Sequence, residues 1–176
     1  MEESNKKETE VTTFTVPFPL GEIKENITIT YDINTQLSKE EIINQAFKFH
    51  SQGNISEAAK YYQLFIDQGF QDHQVISNYG TILQSLGKFK EAVLAHKKAL
   101  EISPNYAMAH FNLGSVLKDM KQLKEAELAT RKAIEIKADH PKAHANLGGI
   151  LKDLGKLEEA ELYTRKALQL NENLIE

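Results

Sequence analysis

Asn112–Met120 reads NLGSVLKDM and Asn146–Leu154 reads NLGGILKDL, 34 positions further on. Sliding the chain by that period lays Ala107–His140 over Pro141–Leu174, with 17 of 34 positions identical. Working outward gives four abutting copies: 39–72, 73–106, 107–140 and 141–174. Fixed-period self-similarity of this kind is the signature of a repeat architecture, in which stacked copies bury a core that one copy cannot.

Each copy carries helical spacing twice. In the third, Leu113, Val116, Leu117 and Met120 recur three and four apart, and Leu123, Ala126, Ala133 and Ile136 do so again. Gly53, Gly87 and Gly155 fall between the runs, where a left-handed residue ends a helix. Lys121 takes that place in the third copy. Ser38 with Glu41 forms a capping-box pattern, and Pro141 suits a first helical turn. Small residues recur at Ala46, Gly80, Gly114 and Gly148, at Ala58, Ala92, Ala126 and Ala160, and, after Phe65, at Ala99, Ala133 and Ala167. They mark helix crossings, with Phe49, Leu83, Leu117 and Leu151 filling the space between.

The pattern resembles the tetratricopeptide repeat family over residues 39–174, most closely in NLGSVLKDMKQLKEAELATRKAIEI and NLGGILKDLGKLEEAELYTRKALQL. The resemblance implies an all-α fold, a right-handed α-solenoid of four helix-turn-helix units at 38–174, after an N-terminal extension at 1–37. Departures from the family pattern are Ile42, Ile76, His110 and His144 at its usual aromatic position. Pro104 alone keeps its repeat-end proline. In the extension, residues 1–10 read as disordered, while VTTFTVPFPL and NITITYDI alternate as strands do. The segment is either a flexible leader or a peptide that docks on the array or on another copy through Phe14, Val16, Phe18 and Leu20.

Composition narrows the function. Net charge is −4, so no global field draws the chain to nucleic acid or anionic lipid. No Cys is present, which removes thiolate and Cys-based metal chemistry and points towards a reducing, cytoplasmic setting. The charged start is no secretory signal, and no stretch reaches the ~18 apolar residues of a membrane helix. No catalytic motif stands out, so the chain is expected to be no enzyme and to need no cofactor or metal. His140 and His144 are four apart, but Pro141 separates them, and His110 and His144 share a register that suggests packing with a backbone partner. Lys97-Lys98, Arg131-Lys132 and Arg165-Lys166 form a basic stripe, expected to be a solvated face laced with helix ion pairs.

Asn44, Asn78, Asn112 and Asn146 hold one register in all four copies, although Asn is a mediocre helix-interior residue. An amide both donates and accepts, so it can match either kind of backbone group on a peptide. Neighbouring helices lie about 8–10 Å apart and an extended chain advances about 3.3 Å per residue. An Asn column would then meet such a ligand at about every third residue.

The family resemblance places this register on the first helix of each unit, facing the concave groove. The tract is similar to the repeats of O-linked N-acetylglucosamine transferases, whose Asn ladder holds substrate backbone. That likeness implies groove positions also for Phe47, His50, Gln84, Phe111, Lys118, Asp119, Lys152 and Asp153. The family's carboxylate clamp is missing: its Lys positions hold Ile43, Ser77, Phe111 and Ala145, and its second Asn positions hold Phe47, Thr81, Ser115 and Gly149. The expected function is therefore a non-catalytic module binding a protein or extended peptide in the groove. The alternatives are an accessory region of a larger glycosyltransferase- or sulfotransferase-like enzyme, and a scaffold that self-associates through the C-terminal face or the N-terminal extension.

Overall fold

A computed structural model describes residues 37–172. The strand-like segments and their anchors Phe14, Val16, Phe18 and Leu20 lie outside the described residues. Eight helices follow in order: α1 (Lys39–Ser51), α2 (Ile55–Asp67), α3 (His73–Ser85), α4 (Phe89–Ile102), α5 (Ala107–Asp119), α6 (Leu123–Ile136), α7 (Pro141–Asp153) and α8 (Leu157–Glu172). The expected all-α solenoid is found. Odd-numbered helices pack on the even-numbered helix that follows and, after α1, on the one that precedes, and α5 also touches α3 and α7.

The ends of the helices follow local chemistry. Ser38 Oγ accepts from the Glu41 N–H, and Glu41 Oε2 accepts from the Ser38 N–H at 2.8 Å. That backbone bond holds the Glu41 carboxyl below its ordinary range. Asp72 Oδ1 caps α3 through the Gln74 and Val75 N–H groups. His140 Nδ1 accepts from the Ala143 N–H, and Pro141 occupies the first turn of α7. Gly53, Gly87 and Gly155 close their hairpins at φ 71°, 73° and 77°, and Lys121 does the same at φ 61°.

Close approach within each pair depends on the small register. A Cβ on Gly80 would meet the His96 ring at 2.6 Å. On Gly114 it would collide with Thr130 Oγ1, and on Gly148 it would lie 2.5 Å from Thr164 Oγ1. The residues faced by this register, Tyr62, His96, Thr130 and Thr164, are themselves 34 apart on the second helices. Thr130 and Thr164 turn their hydroxyls back to the Ala126 and Ala160 carbonyls, both at 2.8 Å. Tyr62, His96 and Thr130 are fully buried.

Between pairs, the seam is apolar at Val75, Ala109 and Ala143, and again at Ile82, Val116 and Ile150, all buried. The corresponding positions on α1 are Glu41 and Lys48, both exposed. The α1 end of the array is thus polar at these two positions, where the later first helices are apolar. The other end differs: Leu157, Leu162 and Leu168 on α8 are 59–65% exposed.

Two expectations follow for stability. A side chain at φ 61° costs what glycine does not, so Lys121→Gly should stabilise the chain by about 0.5–1 kcal/mol, seen as a raised melting temperature. His96 concerns pH. Burial pushes its imidazole down from 6.5 to about 4, and its Nε2 has no hydrogen-bond partner. Above pH 6.5 the ring is neutral in both folded and unfolded chains. Between about 6.5 and about 4 only the unfolded chain takes the proton. Lowering the pH through that window therefore costs stability, at most about 1.4 kcal/mol per pH unit from this residue. Thermal melts at pH 7 and pH 5 should show the loss, and His96→Thr, the residue of the next two pairs, should reduce the difference.

Candidate functional site

The first helices carry the Asn column on one side of the array. Asn44 is exposed, while Asn78, Asn112 and Asn146 are half-buried. Each of the latter three has a neighbour within the fold. Asn78 is hydrogen-bonded with the Tyr62 hydroxyl. Asn112 Nδ2 donates to Thr81 Oγ1 on α3, and Asn146 Nδ2 donates to Thr130 Oγ1 on α6, both at 3.4 Å. Those two bonds are long beside the usual 2.9–3.0 Å, and both engage the amide nitrogen.

The other expected groove residues fall into two groups. At the α1 end, His50 Nδ1 and the Tyr62 hydroxyl share a hydrogen bond at 2.9 Å, and the Phe47 ring lies 6.2 Å from that of Tyr62. Burial pushes the His50 imidazole down and the Tyr62 hydroxyl up, so both are neutral near pH 7. Phe47 is exposed, and with His50, Tyr62 and Asn78 it makes an aromatic floor with amide and imidazole groups in it. Along α3, α5 and α7 the residues are more polar. Gln84 Nε2 reaches across to Asp119 Oδ2 at 2.7 Å and to Ser115 Oγ at 3.2 Å. Lys118 passes over Gly149, where a Cβ would lie 2.6 Å from its ammonium nitrogen. Lys152 and Asp153 are exposed at the end of α7. Phe111 stands apart, half-buried with its ring 5.0 Å from that of His140.

Tyr62, Thr81, Ser115 and Thr130 join this set through contacts between copies. Their spacing from the Asn residues gives no signal within one repeat. The regular spacing of Tyr62, His96, Thr130 and Thr164 was the legible clue.

His110 and His144 are tied to the backbone of the scaffold. The Nε2–H of His110 meets the Pro104 carbonyl at 2.9 Å, and that of His144 meets the Ala138 carbonyl at 2.8 Å, the backbone partners that the shared register suggested. Among the described residues no group of three His, Cys, Asp or Glu side chains could hold a metal. No described helix is long and apolar enough to cross a membrane.

The basic stripe on the second helices is laced with ion pairs at Arg131–Glu127, Lys132–Glu135 and Arg165–Glu161. Two ion pairs also cross between copies. Arg131 bonds Glu159 at 2.6 Å and the Tyr163 hydroxyl at 3.0 Å, and Lys156 bonds Glu127 at 2.9 Å. Burial pushes the Glu127 carboxyl up, but hydrogen bonds from Lys156 and Arg131 outweigh it and hold the group low.

Family models of the tetratricopeptide repeat match residues 107–140 and 141–174, and a further model described as a TPR repeat matches 80–121. Together they span 80–174, more than half of the 176 residues. No curated protein matches the chain in sequence. Among solved structures, a crystal structure of MamA is 22% identical, with a TM-score of 0.72 over 78% of this chain and 81% of that one. MamA residues 41 to the end, from Desulfovibrio magneticus RS-1, are 18% identical, with a TM-score of 0.71 over 77% of each chain. These likenesses concern the fold. With four stacked helix pairs on a 34-residue period and family models over its last three, the chain belongs to the tetratricopeptide repeat proteins.

Proposed function

We propose that this tetratricopeptide module binds an extended peptide or an extended segment of a partner protein across the concave face of its first helices, in the cytoplasm and without catalysis. The Asn column carries the reading. Four amides stand at one register on successive first helices, and the bonds given to Asn112 and Asn146 are long ones that a ligand backbone would improve. The resemblance to the repeats of O-linked N-acetylglucosamine transferases supports the same use of the column. Phe47 and His50 would take an apolar or aromatic side chain, and Lys118, Asp119, Lys152 and Asp153 would meet charged ones. Such binding combines backbone hydrogen bonds for affinity with spaced pockets for specificity.

Asn112→Ala with Asn146→Ala should leave helicity unchanged and weaken a peptide selected on the wild-type array by about 10–100-fold, at roughly 0.7–1.4 kcal/mol for each lost hydrogen bond. Calorimetry on both proteins reads this, and equal affinity removes the mechanism.

A second reading, self-association, is favoured by the α8 face. Leu157 and Leu168 are exposed there beside Glu161 and Arg165. Head-to-tail stacking would set the polar Glu41 and Lys48 of α1 against this leucine face, so the geometry favours two α8 faces meeting about a two-fold axis. The solution mass should then rise with concentration, and Leu168→Glu should restore the monomer. A monomer at every concentration removes this reading.

A further inference from the structure

Two neighbouring seams of the array differ on the side of the second helices, and the difference defines a second binding groove. Between α6 and α8 the space is filled. The Tyr163 ring stacks on His144 at 5.7 Å, with the Arg131 guanidinium 5.4 Å from its centroid and Glu127 bonded to Arg131. One period earlier the same framework stands without the filling. His110 replaces His144 and Lys97 replaces Arg131, but Tyr163 becomes Ala129 and Glu127 becomes Val93. The result is a groove of about 670 Å³ between α4 and α6, over α5. Leu113, Leu117 and Met120 lie along it, and Leu94 and Leu128, 66% and 70% exposed, flank it.

Its charge is one-sided. Lys90, Lys97 and Lys132 line it against the single carboxylate of Glu125. Lys132 is paired with Glu135 at 2.7 Å. Lys90 and Lys97 have no carboxylate partner among the described residues.

We infer that this groove on the second-helix side binds an aromatic side chain of a partner polypeptide that carries a carboxylate beside it. The ring would lie between His110 and Lys97, as Tyr163 lies between His144 and Arg131, and the carboxylate would stand where Glu127 stands in the neighbouring seam. A cation over a ring and an apolar floor favour such a group, and the unpaired lysines favour acid over base. This face is separate from the Asn column, so either site can fail alone.

The test uses the full chain with ¹³C-methyl methionine. Met120 lines the groove, while Met108 does not and serves as an internal control. The probes are three capped tripeptides: Asp-Tyr-Glu, Asp-Ala-Glu and Lys-Tyr-Lys. Asp-Tyr-Glu should shift Met120 saturably and leave Met108 still, and the other two should bind at least about tenfold more weakly. Ala129→Tyr, which supplies the ring from within, should abolish the shift. Lys97→Glu, an exposed change, should weaken binding by about tenfold. Equal response to all three probes, no shift of Met120, or a titration untouched by Lys97→Glu overturns the assignment. Movement of Met120 in Phe14→Ala/Phe18→Ala chains without any probe overturns it too, by giving the groove to this chain's own N-terminal segment.

Discussion

The crossing of each first helix over its own second helix is the contact on which the rest of the array depends. At Gly80, Gly114 and Gly148 the backbones approach so closely that a single methyl group would run into His96, Thr130 or Thr164. Interiors are packed too densely to absorb such a change without moving a helix. That one short approach fixes the angle within a pair, and with it the surface offered to the next pair. The buried run of Ile82, Val116 and Ile150 then repeats the same fit between pairs. A chain that solves this packing once can reuse it, which is why the sequence nearly repeats itself at Asn112 and Asn146.

Much of this is legible in the amino-acid sequence. A period of 34, glycine at hairpin ends and small residues at fixed registers are statements about backbone conformation and distance, and both leave marks on sequence. Lys121 is instructive: the period required a left-handed residue there, and its φ is 61°. The histidines at 110 and 144 were likewise placed by register alone.

What escaped is whatever depends on which side chains meet across a seam. The hydrogen bond from Asn146 to Thr130 spans 16 positions, and that from Gln84 to Asp119 spans 35. No local pattern announces either one. The groove beside Lys97 is subtler, because it arises from the small size of Ala129 where the next copy has Tyr163. Departures from a repeat thus carry information that the repeat itself does not. The same holds on the outermost helices, where Glu41 and Lys48 break the apolar seam on α1 while Leu157 and Leu168 are exposed on α8.

The two long faces of the solenoid therefore differ in chemistry. The first-helix face offers amides, hydroxyls and a few charges at even spacing, suited to a ligand read through its backbone. The second-helix face offers ion pairs, interrupted by one apolar groove. Backbone recognition is the central claim, and an N-methyl scan tests it most directly. A peptide selected from a random library on the wild-type array would be remade with each amide methylated in turn, and calorimetry would follow the affinity. Losses recurring at about every third residue, absent when the corresponding side chains are cut to alanine, are what the Asn column predicts. Affinity that survives every methylation and falls only with side-chain truncation would contradict it.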